Sequence, residues 1–215
     1  MTVAVKICGL NDADVVAAAV NARADYIGFM FYPPSPRAVT PERAAALLAP
    51  VKGRTRSVGI FVDPTDEQIA TTLAAIALDM LQLHGQESPV RMAELRTRFG
   101  IPVMKAVKVA GRDDIALADR YGDAVDMLLF DAKAPRDMRD ALPGGNGITF
   151  DWNLLAERDR SLPWMLSGGL DPGNVAEAIR IARPPAVDVS SGVEFEPGRK
   201  DPAAIKAFLD AAKAL

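Results

Sequence analysis

Cysteine and histidine are nearly absent from this chain: Cys8 and His84 stand alone among 215 residues. One cysteine excludes an internal disulfide, and one of each falls short of the ligand set that holds a zinc ion, so no metal is expected. Long apolar runs are missing too. None approaches the roughly 18 to 20 residues of a membrane span. Residues 1–6 lack a signal peptide's basic region and small-residue cleavage site, which makes the cytoplasm the expected compartment.

An excess of charge of either sign is also lacking. The 25 basic and 28 acidic residues leave a net charge of −3. No basic field is available to attract nucleic acid or an anionic membrane, so any anion must be recognised locally. Linker-like stretches rich in Ser and Gly, or in charge, do not interrupt the chain. With 49% hydrophobic and 25% charged residues the composition supports a sizeable core. Length alone fits one large domain or two small ones, so internal organisation has to decide.

That organisation is repetitive. Short apolar, β-prone runs recur at 3–7, 26–31, 57–62, 80–83, 103–109, 125–130, 164–166 and 186–189. Between them apolar residues fall at helical spacing, as in Val15, Val16, Ala19 and Val20, or Ile205, Phe208 and Leu209. Thr40-Pro41, Ser88-Pro89, Asp171-Pro172 and Asp201-Pro202 each place a capping side chain before a proline at a first helical position. Thr65 to Gln68 adds a capping box. A helix is therefore expected after every strand, giving eight units of about 27 residues. Near-continuously apolar strands suit a parallel sheet covered on both faces. An open doubly wound sheet would announce a G-x-G-x-x-G turn after its first strand, and Cys8-Gly9-Leu10-Asn11 is not one. The expected fold is one (β/α)₈ TIM barrel spanning 1–215, with phosphate-binding loops after strands 7 and 8.

Active sites of such barrels form at the carboxyl ends of the strands. The polar residues there are Lys6, Cys8, Arg37, Asp63, His84, Lys108, Asp131, Ser167-Gly168-Gly169 and Ser190-Ser191-Gly192. The longest break, 131–150, follows strand 6 and has the length of a functional loop or lid.

Gly168, Gly169, Ser190, Ser191 and Gly192 occupy the two loops where barrel enzymes hold phosphate. Glycine lets backbone N–H groups converge on oxygens; ordinary turns before helices are the alternative. Cys8 is either a small buried hydrophobe or, at a strand's carboxyl end, a base, provided its surroundings lower the thiol pKa toward the working pH. Asp131 is either a loop cap or partner of Lys133, or a general acid. The acid role requires protonation, favoured by burial or a nearby negative charge. Arg37 sits in a loop stiffened by Pro33, Pro34 and Pro36, and its forked donors suit a carboxylate or phosphate, unless it is simply solvated. His84 is a structural residue or a substrate contact. Asp188, inside an apolar strand, must face a polar interior or the site mouth, where it would orient or contact substrate.

Taken in order, Lys6-Ile7-Cys8-Gly9, Gly28-Phe29-Met30-Phe31, Ser35-Pro36-Arg37, Gln82-Leu83-His84-Gly85, Phe130-Asp131, Phe150-Asp151-Trp152, Ser167-Gly168-Gly169-Leu170, Val187 to Glu194 and Gly198 to Asp201 resemble the phosphoribosylanthranilate isomerase family of tryptophan biosynthesis. The likeness runs almost the full chain. It implies a cofactor-free Amadori rearrangement of N-(5-phosphoribosyl)anthranilate, with Asp131 as general acid at the ring oxygen and Cys8 as general base at C2. It also implies Arg37 facing the anthranilate carboxylate, the two Ser/Gly loops gripping phosphate, and a small phosphosugar as the only partner, in a monomer or homodimer. Gly144-Gly145-Asn146-Gly147 departs from the pattern, with Asn146 where the family more often has threonine or serine. Asparagine tolerates left-handed turns and offers hydrogen bonds, so the loop is expected to be retained. Met30 and Ser167 are mild variations.

Two other readings fit parts of the pattern. A histidine-pathway Amadori isomerase or a pentose-phosphate epimerase would present a carboxylate pair or several metal ligands at the mouth, where this chain has a cysteine and an aspartate. A catalytically silent phosphosugar sensor would be favoured by loss of Cys8 or Asp131, and both are present.

Overall fold

The computed structural model describes residues 3–135, 142–156, 158 and 162–214. Part of the long 131–150 break, residues 136–141, lies outside the described residues.

Eight parallel strands close on themselves in sequence order: β1 (Ala4–Cys8), β2 (Tyr26–Met30), β3 (Arg56–Phe61), β4 (Met80–Leu83), β5 (Val103–Val109), β6 (Met127–Ala132), β7 (Trp164–Leu166) and β8 (Ala186–Val189). β8 pairs with β1 in a register that sets Lys6 beside Asp188, which completes the barrel. Residues alternate between two environments along each strand. Ile7, Ile27, Phe29, Leu81, Phe130 and Val187 join the main apolar core with the surrounding helices. Val58, Ile60, Met104, Leu129, Met165 and Ala186 form a second cluster in the barrel interior, and Cys8 caps it. Most residues of the eight barrel strands are therefore packed on one face or the other, which is why the strands read as continuous apolar runs.

Helices α1 (Ala13–Asn21), α2 (Pro41–Leu48), α3 (Asp66–Ala75), α4 (Pro89–Phe99), α5 (Arg112–Ala118), α6 (Val175–Ala182) and α7 (Pro202–Lys213) follow strands 1 to 5, 7 and 8. Val15, Val16, Ala19 and Val20 of α1 and Ile205, Phe208 and Leu209 of α7 are all buried, as their spacing predicts. Thr40 and Ser88 accept hydrogen bonds from the N–H three residues on, Asp201 from the N–H two residues on, and Thr65 and Gln68 complete a reciprocal box.

The structure corrects the sequence expectations at four places. Asp171-Pro172 opens a turn, not a helix: Asp171 Oδ1 accepts from the N–H groups of Gly173 and Asn174, and α6 begins only at Val175. Among the described residues no α-helix follows β6. One turn of 3₁₀ helix, Trp152–Leu155, stands in its place. β6 itself runs two residues later than expected, because Asp131 and Ala132 stay in register with Lys108 and Val109 of β5. The fourth is an unanticipated antiparallel pair between β8 and α7, formed by β9 (Glu194–Glu196) and β10 (Arg199–Lys200).

Candidate active site

The cleft at the carboxyl ends of the strands is lined by Cys8, Arg37, Gln82, His84, Asp131, Asp188, both Ser/Gly loops and Gly144-Gly145. Strand alternation explains the choice: residues 8, 82, 84, 131, 167, 188 and 190 share the inward parity of the interior cluster, one layer nearer the mouth.

Beneath the floor lies a buried charge pair. Lys6 Nζ donates to Asp188 Oδ1 at 2.8 Å, and Ser167 Oγ donates to Asp188 Oδ2 at 3.1 Å. Lys6 compensates the burial of Asp188 that the apolar strand Val187-Asp188-Val189 would otherwise make costly. Burial acts to lower the Lys6 pKa, but Asp188 and then Cys8 outweigh it and the net shift is upward. Cys8 itself is 5% exposed. Burial pushes its thiol pKa up, with Lys6 the leading influence in the opposite direction and Lys200 a further one. The surroundings therefore do not lower the thiol pKa as the sequence expectation required. Desolvation, joined by the negative charge of Asp188, wins over the two neighbouring ammonium groups.

On the opposite side Asp131 is buried, and its Oδ1 accepts from the N–H of Ala132 at 3.0 Å. Its Oδ2 stands 3.3 Å from His84 Nε2. Lys133, the alternative partner for Asp131, instead reaches Asp114 at 3.2 Å. His84 Nδ1 lies 3.2 Å from Gln82 Nε2. If that amide donates to Nδ1, the ring proton sits on Nε2 and faces Asp131. Gly144 crosses close above, where a Cβ would lie 2.7 Å from His84 Cε1 and 2.9 Å from Asp131 Oδ2. Glycine here lets the loop after β6 lie against the acid. Asn146 holds that loop by hydrogen bonding, one of the two properties expected of it. The left-handed conformations fall on Gly145 and Gly147, while the Asn146 side chain accepts from the N–H of Leu142 at 3.0 Å and donates to its carbonyl at 2.8 Å.

Arg37 is 4% exposed and not solvated. Its Nε and Nη2 each donate to Glu194 at 2.8 Å, and Nη2 also reaches the Gly145 carbonyl at 3.4 Å. Glu194 Oε1 accepts in addition from Lys200 at 2.6 Å, and Lys200 donates onward to the Ser190 carbonyl at 2.9 Å and Oγ at 3.2 Å. Burial raises the Glu194 pKa, but Arg37 and Lys200 more than offset it and hold the carboxyl below its ordinary 4.5. A group with a depressed folded-state pKa stabilises fully above its unfolded value and loses that contribution as pH falls through the folded one. The Tm gap between wild type and Glu194→Gln should therefore be widest above about pH 5 and narrow as pH falls below about 4.5. Thermal melts across that range check it, and a gap independent of pH would show that the ionised carboxylate contributes nothing.

The two Ser/Gly loops require their glycines. Gly168 has φ +90° and Gly169 φ +60°. A Cβ on Gly192 would lie 1.9 Å from the Leu170 carbonyl oxygen, which joins the loop after β8 to the loop after β7. Gly192→Ala should cost about 1–3 kcal/mol through overpacking against backbone, or a Tm fall of roughly 2–12 °C. A melt unchanged within about 1 °C would show that the two loops are not packed as described.

A profile of the N-(5'-phosphoribosyl)anthranilate isomerase family matches residues 5–211. The chain belongs to the N-(5'-phosphoribosyl)anthranilate isomerase family. The relative of that name from Rhodospirillum centenum is 55% identical over 215 residues, covering 100% of both chains. The chain is also similar to a monomeric form of the dimeric phosphoribosylanthranilate isomerase of Thermotoga maritima, with a TM-score of 0.85, 40% identity and full coverage of both chains. A further isomerase of this family was solved with reduced 1-(o-carboxyphenylamino)-1-deoxyribulose 5-phosphate; it gives a TM-score of 0.86 at 38% identity, again over both full chains.

Within this family member the structure brings Cys8, Asp131, Arg37, His84, Asp188, Gly168, Gly169, Ser190 and Ser191 to one cleft, while Gly192 packs against Leu170 and is not among the lining residues. Three polar strand-end residues do not line it: Asp63, Lys108 and Lys6, the last of which is held on Asp188. Asp63 accepts from the N–H of Gln86 and its own N–H donates to Glu87, tying the loops after β3 and β4 together. Lys108 is not among the lining residues. Conversely, Glu194 and Lys200 lie within segments that carry the family resemblance, but their pairing with Arg37 and with each other emerges only in the structure. Its one local signal is Gly198, whose φ of +83° allows the turn between β9 and β10.

Proposed function

We propose that this chain, as a single catalytic unit over 1–215, converts N-(5-phosphoribosyl)anthranilate to 1-(2-carboxyphenylamino)-1-deoxyribulose 5-phosphate in tryptophan biosynthesis. The observation that carries the reading is that one thiol, one carboxyl, one guanidinium and the glycine loops after β7 and β8 line a single cleft at the carboxyl ends of the strands.

The residues divide the reaction as follows. The loops at Gly168-Gly169 and Ser190-Ser191-Gly192 hold the phosphate, and Arg37 holds the anthranilate carboxylate, so the ribose lies between Cys8 and Asp131. Asp131, protonated, gives its proton to the furanose oxygen as the C1–O bond breaks, and the nitrogen lone pair forms the iminium. The iminium acidifies the C2 proton, which the Cys8 thiolate removes; the electron pair moves into the C1–C2 bond and neutralises nitrogen. The resulting enolamine takes a proton at C1 from the Cys8 thiol and gives its C2 hydroxyl proton to the Asp131 carboxylate, which yields the ketone and returns both groups to their starting forms. Lys6 and Lys200 counter the burial that disfavours the thiolate. Asp188, fixed by Lys6 and Ser167, is placed to meet the ribose hydroxyls. His84 lies against Asp131 as a substrate contact or as support for the acid. The working protein is a soluble cytoplasmic monomer or homodimer, and among the described residues no helix is long and apolar enough to cross a membrane.

The test is the loss of anthranilate-type fluorescence when the protein meets freshly generated phosphoribosylanthranilate with a chelator present. Rapid turnover is expected. Tight binding without turnover would remove the isomerase assignment and leave the phosphosugar sensor.

A further inference from the structure

Arg37 is not presented to the cleft as a free guanidinium. Glu194 occupies its Nε and Nη2 edge in a two-pronged pair, and both side chains are about 5% exposed or less. What remains is Nη1, which faces the loop at Gly145; a Cβ there would lie 2.8 Å from Nη1, so only glycine leaves that edge open. The partner on the far side of Glu194 is Lys200, whose side chain is fully buried. Lys200 has three acceptors, Glu194 Oε1, Ser190 O and Ser190 Oγ, which match the three N–H donors of an ammonium. Burial lowers the Lys200 pKa against the pull of Glu194, and with its ammonium held by these three acceptors two cations and one anion make a buried cluster with one net positive charge. The deeper Lys6–Asp188 pair is neutral in itself.

We propose that Glu194 and Lys200 are positioning residues that make the Arg37 end of the cleft selective for a singly charged acid. Glu194 sets which edge of the guanidinium meets the ligand and cancels one of two positive charges, so one carboxylate brings the cluster to neutrality. A doubly charged group at the same place would leave a buried surplus negative charge, and an uncharged one a surplus positive charge. The hairpin β9–β10 is the device that carries both residues, and through Ser190 it fixes the same cluster to one of the phosphate loops.

This rests on the reading of Arg37 as the carboxylate anchor. The test is calorimetric titration of three stable ligands at about pH 8: reduced 1-(o-carboxyphenylamino)-1-deoxyribulose 5-phosphate, the same compound without the carboxyl, and the same compound with an ortho phosphate, which is nearly a dianion at that pH. Only changes in affinity ratios between proteins are compared, because phosphate is larger than carboxylate. Wild type should bind the carboxylate ligand at least about tenfold more tightly than the unsubstituted one. Glu194→Gln leaves two positive charges and should move the carboxylate-to-phosphate ratio at least about tenfold toward phosphate. Lys200→Met leaves none and should move it the other way. A role confined to holding the fold would weaken all three ligands in parallel, leave the ratio unchanged and overturn the proposal. If wild type fails to distinguish the carboxylate from the unsubstituted ligand, the assignment of Arg37 falls first, before any variant is compared. Should Glu194→Gln not fold, Lys200→Met carries the test alone with the opposite sign.

Discussion

Cys8→Ala is expected to lower kcat by about 10²–10⁴-fold, the range typical of a lost general base, while leaving the protein folded and able to bind. The thiol is buried at the mouth-facing end of the interior cluster and adjoins the buried Lys6–Asp188 pair. Removing one sulfur leaves a small cavity and costs roughly 1 kcal/mol, or a Tm fall of roughly 2–4 °C. Arg37 and both glycine loops are untouched, so the affinity for reduced 1-(o-carboxyphenylamino)-1-deoxyribulose 5-phosphate should stay within about threefold of wild type. A fall in kcat with binding intact separates loss of chemistry from loss of shape. Turnover within about tenfold of wild type would mean that another group removes the C2 proton, and the cysteine would revert to a small buried hydrophobe.

The barrel was legible in the sequence because each strand is buried on both faces and most helix starts carry a local chemical signal. Thr40, Thr65, Ser88 and Asp201 cap helices as their sequences suggest, each acting within three residues of itself. Asp171 misled because an aspartate before proline serves a turn as readily as a helix start, and here its carboxylate bonds N–H groups within the turn. The members of the site were legible for a similar reason: a strand's carboxyl end is a local position, and Cys8, His84 and Asp131 announce themselves by standing there. Their relations were not. Arg37 meets Glu194 across 157 positions, and Lys6 meets Asp188 across 182. Neither pairing leaves a periodic trace. β9 and β10 are three and two residues long, too short for alternation to show. The thiol pKa was out of reach as well, since its direction depends on how burial balances against Lys6 and Lys200, and that balance exists only in the closed barrel.

Asp131→Asn should cause a loss of similar size, about 10²–10⁴-fold in kcat, with a second and more telling effect on pH dependence. The amide keeps the shape of the carboxyl, and its oxygen can still accept from the N–H of Ala132. It cannot deliver a proton to the furanose oxygen, so ring opening loses its acid. In the variant only the ionisation of the thiol remains to set the pH dependence. Burial holds that thiol above its ordinary 9.0, so below this value the reactive thiolate is the minor form. Residual kcat/KM should then climb by about tenfold per pH unit between about pH 7 and 9. A stopped assay on the variant with the slow uncatalysed rate subtracted would measure it. A residual rate that is flat across those two units would mean that the thiol is already ionised at neutral pH, and that Lys6 and Lys200 outweigh desolvation in the working enzyme.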